Sequence, residues 1–248
     1  MKIKNILISQ PKPETEKSPY FDLAKKYNLK LEFRPFIKVE RIPKKDFKQT
    51  KINIADYTAI IFNSKVSIEH FFGMCEDMRV PINEGWKYFC FSETIANYLQ
   101  KHITFRKRKI FYGNGTIDDL MEDIKRFPDE NYLVPLSDVH KQDISEKLTS
   151  VNINFTKAIL HRTVPADVSD VNIDDYQVLV FFSPVGVASL KQNFPDFEQG
   201  ETCIGAFGPT TASMVENLNL RLDIKAPIPE APSITAALDL FLKERIVK

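Results

Sequence analysis

"DDYQVLVFFSPVGVASL" occupies Asp174–Leu190, and its reading decides the fold. The apolar run Val178–Phe182 predicts a buried strand, and it ends at a serine followed by a proline. Serine is a favoured helix N-cap, and proline suits the first helical position because its missing N–H has no partner there. Val187, Leu190 and Phe194 then recur at helical spacing and mark the buried face of a helix. The stretch is therefore one strand-turn-helix unit. Capping alone accounts for Ser183.

The same pattern occurs earlier. "ADYTAIIFNSKVSIEHF" (Ala55–Phe71) aligns with Asp174–Leu190 without a gap, placing Asp56 on Asp175, Tyr57 on Tyr176, Phe62 on Phe181, Ser64 on Ser183 and Val66 on Val185. Downstream of each copy stands a second such unit: "YFCFSETIANYL" in the first, "CIGAFGPTTASMV" in the second. Ser92–Ala96 then lies over Gly208–Ala212. Two pairings in the same order predict two related α/β halves.

Short apolar strands alternate with amphipathic helices along most of the chain, which predicts α/β architecture with largely parallel sheets. Further strands are expected over Ile3–Ser9, Lys30–Phe36, Lys109–Tyr112, Tyr132–Pro135, Asn154–Leu160 and Arg221–Ala226, and helices over 19–27, 116–126 and 233–244. The sequence has only 8 glycines. Asparagine is the usual substitute at left-handed helix ends. Asn28, Asn152 and Asn219 each fall between a helical pattern and a strand, and are read as helix stops.

With 248 residues and 43% apolar composition, two domains with sizeable cores are affordable. A net charge of +1 provides no global field for nucleic acid or membrane. No apolar stretch approaches the roughly 20 residues of a membrane span, and the start "MKIKNILISQ" is too short in its apolar part for a signal peptide. Cys75, Cys90 and Cys203 are widely spaced and form no CxxC or ligand-like group, so a reduced, cytoplasmic protein without a metal site is expected.

In the second turn, Gly208 would allow close backbone approach, while Thr210 and Thr211 lie in a first helical turn whose N–H groups lack partners. Such an end accepts carboxylate or phosphate. In doubly wound folds these turns collect at the carboxyl ends of the strands, where ligands bind. "YGNGTIDDLMEDI" reads as helix-start chemistry, with Thr116 as N-cap and Asp118 and Asp119 in the first turn. "FRKRKIF" (Phe105–Phe111) reads as a solvated strand edge. His70, His102, His140 and His161 show no metal spacing, and no acid-base pair follows from spacing. A flavodoxin-like or receiver module is disfavoured, since no acidic phosphoacceptor cluster follows the first strand.

"IGAFGPTTASMVENLNL" and "DDYQVLVFFSPVGVASL" resemble signature elements of uroporphyrinogen-III synthases, and "KAPIPEAPSITAALDLFL" resembles that family's segment before its last helix. The resemblance is strongest from Ile159 onward. It implies two doubly wound parallel-sheet domains joined by two extended linkers with a cleft between them. Domain 1 would be discontinuous (1–36 and 166–248) and domain 2 inserted (37–165), with linkers near Arg34–Glu40 and Ile159–Pro165. The implied reaction closes hydroxymethylbilane, a linear tetrapyrrole bearing many carboxylates, with loss of water and inversion of the last ring, in heme biosynthesis. No cofactor is implied, and a monomer without nucleic-acid or membrane partners is expected.

The resemblance nominates His161 and Thr211 as catalytic. Substrate binding is assigned to Gln10 and Lys12, to Ser64 and Lys65, to Ser92 and Thr94, to Ser183, Pro184, Val185 and Gly186, and to Gly208, Pro209 and Thr210. Three features depart from the family pattern. Gln10 and Lys12 stand where Thr-Arg-Pro is common, Glu93 lies in a turn meant for an anion, and His161 replaces a tyrosine proposed to assist proton transfer or water departure. Histidine at this position implies that protonation matters near neutral pH. The alternative function is a non-catalytic, two-domain binding protein of the same fold.

Overall fold

In the computed structural model, which describes residues 3–140 and 142–246, the chain builds part of one unit, completes a second, and returns to the first. Unit 1 is Met1–Lys38 with Val164–Lys248, and unit 2 is Val39–Thr163. The chain begins with β1 (Asn5–Ile8), α1 (Pro19–Tyr27) and β2 (Lys30–Phe33), then passes through β3 (Ile37–Arg41). Unit 2 continues with α2 (Lys44–Gln49), β4 (Ala59–Phe62), α3 (Lys65–Met78), β5 (Lys87–Cys90), α4 (Glu93–Tyr98), β6 (Ile110–Tyr112), α5 (Met121–Lys125), β7 (Tyr132–Ser137), α6 (Asp143–Ser150) and β8 (Phe155–Pro165). Unit 1 is completed by β9 (Val178–Phe181), α7 (Pro184–Asn193), β10 (Cys203–Phe207), α8 (Pro209–Asn217), β11 (Leu222–Ala226) and α9 (Ile234–Ile246).

Each sheet is buried on both faces. In unit 1, Leu7, Leu179, Phe181 and Ile204 pack with Val187 and Leu190 of α7 and Val215 of α8. Their neighbours Ile6, Ile8, Val178, Val180 and Cys203 point the other way, onto Leu23 of α1 and Leu238 and Leu242 of α9. Unit 2 divides in the same manner. Ile60, Phe62, Tyr88 and Leu133 face Ile68 and Phe71 of α3, whereas Ile61, Phe89, Tyr132 and Val134 face Ile124 of α5 and Leu148 of α6. Two buried faces explain why the strands read as continuous apolar runs rather than alternating patterns.

The sheet orders are β11-β10-β9-β1-β2 and β3-β8-β7-β4-β5-β6. Setting β3 aside, the two match strand for strand as β9 with β4, β10 with β5, β11 with β6, β1 with β7 and β2 with β8. The repeated turns therefore occupy equivalent places, and unit 1 is a circular permutation of unit 2. By chain order within unit 1, the arrangement is the flavodoxin-like 2-1-3-4-5. That shared topology carries no function of its own.

Several elements differ from the sequence expectations. The passages near 34–40 and 159–165, expected as extended linkers, are also paired with each other: β3 pairs with β8, and Arg162 holds Glu40 across them at 2.9 Å. The turn after β6 is also built differently. Thr116 is not an N-cap; the first helical turn is a 3₁₀ turn over Asp118–Leu120, and Asp119 folds back to accept from the N–H groups of Asn114 (3.2 Å) and Thr116 (2.9 Å). Gly113 is required for this fold-back, because a Cβ there would lie 2.4 Å from the Asp119 Cβ. Helices α2 and α6 have no counterpart among the expected elements. No helix among the described residues is long and apolar enough to cross a membrane.

Asn28, Asn152 and Asn219 adopt left-handed φ angles of 52°, 56° and 56°, as their places after helices require. Arg79 does the same after α3, with φ 59°. The following Val80 N–H returns to the Cys75 carbonyl at 2.8 Å, closing the helix end. A left-handed conformation costs an ordinary L-residue more than the extra unfolded-state entropy of glycine, by roughly 0.5–1 kcal/mol. Arg79→Gly is therefore expected to raise the unfolding free energy by about that amount, while Asn28→Ala lowers it. Urea unfolding of the three proteins measures both.

Candidate functional site

Because β10, β9 and β1 are parallel neighbours, the turns at their carboxyl ends stand side by side in unit 1. After β9, Ser183 caps α7, its Oγ accepting from the Gly186 N–H at 3.1 Å, with Pro184 at the first helical position. Gly186 is buried, and a Cβ there would sit 3.3 Å from the Ser183 hydroxyl. Val185 is half-buried. Since the cap uses only a lone pair of Oγ, the hydroxyl hydrogen stays free to donate. Capping and ligand binding do not exclude each other here.

The turn after β10 is made by backbone. Gly208 is the N-cap at φ 91°, with no side-chain cap, and its N–H is tied to the Ala226 carbonyl at 2.7 Å. A Cβ on Gly208 would meet only the Thr211 hydroxyl, at 3.9 Å, so the approach to this backbone is open. The first helical bond runs from the Ala212 N–H to the Gly208 carbonyl. Proline at 209 has no N–H, which leaves the Thr210 and Thr211 amides as the donors of the helix end. The two threonines differ: Thr211 is 1% exposed, whereas Pro209 and Thr210 face solvent. Neither hydroxyl caps the helix. Gln10 follows buried Ser9 at the end of β1, and Lys12 is exposed.

In unit 2, strand order reverses between β4 and β7, and a pocket of about 450 Å³ opens at the carboxyl ends of these strands. Its lining includes Asn63, Ser64, Thr116, Ser137, His140 and His161. Ser64 caps α3 in a reciprocal box with Ser67, its Oγ accepting from the Ser67 N–H at 3.1 Å. The pocket thus joins Ser64 to His161. Ser92, Thr94 and Lys65 are outside its lining: Ser92 caps α4, Thr94 and Lys65 are exposed, and the Lys65 ammonium lies 5.5 Å from the Tyr98 ring centre. Glu93 sits exposed in the first turn of α4, where the helix dipole favours a carboxylate.

His161 is placed by a register shift. Leu136 pairs with Ile159 but Ser137 pairs with His161, so Leu160 is an extra residue in β8 and both Leu160 and His161 are buried. The imidazole stacks on His70 of α3, with ring centres 4.9 Å apart and planes 14° from parallel. Its Nδ1 is buried and has no partner among the described residues. Burial first, and the neighbouring His70 second, push its pKa down to about 4 against the opposing pull of Asp138. His161 is therefore neutral near pH 7. The expectation that its protonation matters there is corrected: the titration belongs to acid pH.

His140, Asn63 and Ser137 were not singled out by sequence reasoning. The His140 Nδ1 stands 2.8 Å from the Ser137 carbonyl oxygen, which makes Nδ1 the protonated nitrogen. Its Nε2 is buried and without a partner among the described residues. Asp138 braces this turn: its carboxylate accepts from Ser137 Oγ and the Val139 N–H, both at 2.9 Å, and its N–H donates to the His161 carbonyl at 3.0 Å. The available signal was the strand-to-helix turn after β7, of the same kind as the turns read after the other strands. Among the described residues, no three His, Cys, Asp or Glu side chains are grouped as metal ligands.

Comparison with known proteins places the chain. A family model described as uroporphyrinogen-III synthase HemD matches residues 20–236. The curated uroporphyrinogen-III synthase of Saccharomyces cerevisiae is 25% identical over 247 residues, covering 86% of this chain and 88% of the yeast protein. The crystal structure of uroporphyrinogen-III synthetase from Helicobacter pylori has the same fold, with TM-score 0.52 at 15% identity, over 98% of this chain and all of the other. With its parallel two-sheet architecture and a family match spanning most of its length, the chain belongs to the uroporphyrinogen-III synthase family.

Proposed function

We propose that this protein is a cyclising lyase of heme biosynthesis, working in the cytoplasm, that closes hydroxymethylbilane to the type III macrocycle with loss of water and inversion of the last ring. The observation that carries the reading is the unit 2 pocket, whose lining brings His161 and His140 together with Ser64 and Asn63. The bilane sheds its hydroxyl readily and closes unaided to the wrong isomer. Catalysis is then mainly orientation, with polar help to the departing hydroxyl and the cationic intermediate.

Neutral His161 suits such a role. Its ring N–H can donate to the departing hydroxyl without bringing a positive charge beside a developing cation. The substrate's acetate and propionate groups call for many weak donors rather than one strong cation. The amides of Thr210 and Thr211 and the free hydroxyl hydrogens of Ser183 and Ser64 are of that kind.

A coupled assay with freshly made bilane, separating type I from type III product, is expected to give type III; type I alone at the uncatalysed rate would overturn the proposal. His161→Phe is expected to lower kcat by about 10- to 100-fold, the lower end of what a positioned proton donor supplies. His161→Tyr should retain most activity, because a phenol is also a neutral donor. Thr211→Val should reduce activity several-fold more than Thr211→Ser.

The depressed pKa of His161 also makes stability depend on pH. Between the unfolded value near 6.5 and the folded value of about 4, the unfolded chain binds more protons. The contribution of His161 should be level above pH 6.5, fall by roughly 2–3 kcal/mol as pH drops to 4, and level off below. His70 is shifted in the same direction, first by its own burial. Urea unfolding in steps from pH 4 to 7.5 should show a clearly smaller slope for His161→Asn, and an unchanged slope would remove His161 from this linkage.

A further inference from the structure

Gly115 and Thr116, in the turn after β6, line the same unit 2 pocket as His161 and Ser64. In the order β8-β7-β4-β5-β6, His161 stands on the first strand, Ser64 follows the third and Gly115 follows the last. The β6 turn is therefore the wall opposite His161. β6 is also the edge of the sheet and only three residues long, so its turn has a neighbouring strand on one side alone. A segment in such a place opens at low free-energy cost unless it is tied down.

Three ties are present. Ile117 and Leu120 are buried and plug the segment into the core beside Phe89 of β5. The Gly115 N–H reaches back to the Phe91 carbonyl at 2.7 Å. Asp119 supplies the third: one of its carboxylate oxygens accepts from the Asn114 N–H at 3.2 Å and from the Thr116 N–H and hydroxyl, both at 2.9 Å. These bonds, those of Thr116 first, hold its carboxyl below the usual carboxylate range, so the brace is charged near neutral pH. Asp118 is engaged elsewhere, with Lys147 of α6 at 2.7 Å. The glycines fit the same purpose. Gly113 makes room for the Asp119 Cβ, and Gly115 takes φ 134°, which side chains disfavour. A Cβ on Gly115 would meet nothing within 4 Å, so this glycine serves backbone shape rather than packing.

We propose that Asp119 is a positioning residue for the choice of isomer: by bracing the 113–116 turn it keeps the wall opposite His161 rigid, and that wall holds the last ring in its inverted orientation. The role rests on the cyclisation reading above. Unaided closure gives the wrong isomer, so a pocket that selects the other must deny the ring room to swing back. A fixed backbone wall does this by orientation alone, without supplying a reacting group. Asp119 is not part of the pocket lining and acts through the turn.

Asp119→Ala tests the role through two measurements. Hydrogen exchange followed by NMR on the whole protein should show the Asn114 and Thr116 amides losing about tenfold or more of their protection. With folded protein in excess over freshly made bilane, so that closure takes place on the protein, the ratio of type III to type I product should fall by about tenfold. A merely structural role would lower the yield of folded protein and leave that ratio alone. Thr116→Val removes one of the three bonds and should give a smaller shift of the same sign, which also serves if Asp119→Ala does not fold. Lys147→Ala, which releases only Asp118, should leave both measurements unchanged. Undiminished protection of the two amides in folded Asp119→Ala, or an unchanged product ratio once that protection is lost, would overturn the proposal. Type I alone from the unaltered protein would overturn the cyclisation reading and the isomer role with it, while the exchange result still decides whether Asp119 braces the turn.

Discussion

Helices cover both faces of both sheets, and this burial is the constraint from which the candidate site follows. Strands such as Ala59–Phe62 and Val178–Phe181 are wholly buried, so their backbone polar groups are engaged in the ladders and their side chains in the cores. Only the turns at the strand ends are left to meet solvent or ligand. Since the paired strands around β4 and β9 run parallel, the strand-to-helix turns that follow them emerge at the same end of their sheet. Helix-start residues such as Ser64, Ser183 and Gly208 are therefore held at that end by the same packing that stabilises the fold.

Circular permutation of the two units has a consequence for the long strands. β2 and β8 are equivalent in the sheets, and each is the strand after which the chain departs for the other unit. β8 runs for 11 residues against four in β2, and its outer part pairs with β3 rather than ending at the sheet. The extra length carries the register shift that buries His161 next to Leu160. His161 is thus positioned by the passage out of unit 2, and by Asp138 bonding to it across β7 and β8. The Arg162–Glu40 pair ties down the same passage from the other side.

Much of the fold was legible because it rests on local signals. Proline after serine at 183–184, proline after glycine at 208–209, and the asparagine stops at 28, 152 and 219 are written into adjacent residues. The gap-free alignment of the β4 and β9 turns made the duplication visible as well. What stayed hidden depends on contacts distant in sequence. Asp119 abandons a helix start to brace the Gly113–Thr116 turn, and nothing in "GNGTIDD" states that a 3₁₀ turn intervenes. The meeting of Ser64, His140 and His161 requires β7 to insert beside β4, a neighbour relation that periodicity does not encode. Equal treatment of Ser64 and Ser92 also failed to anticipate that only Ser64 lines this pocket.

Burial of His161 bears most directly on the proposed chemistry. An exposed histidine would divide between charged and neutral forms near pH 7, and its cationic form would oppose a cationic intermediate formed beside it. Desolvation and the stacked His70 remove that form from the neutral range. Charge repulsion between the two rings reinforces the effect, because protonating either makes protonation of the other harder. The pair thereby acts as one device that keeps an imidazole uncharged in a residue that lines the pocket. A tyrosine achieves the same condition through its high intrinsic pKa; histidine needs a buried neighbour of like charge to do so. On this physical account, His70 belongs to the substitution at position 161.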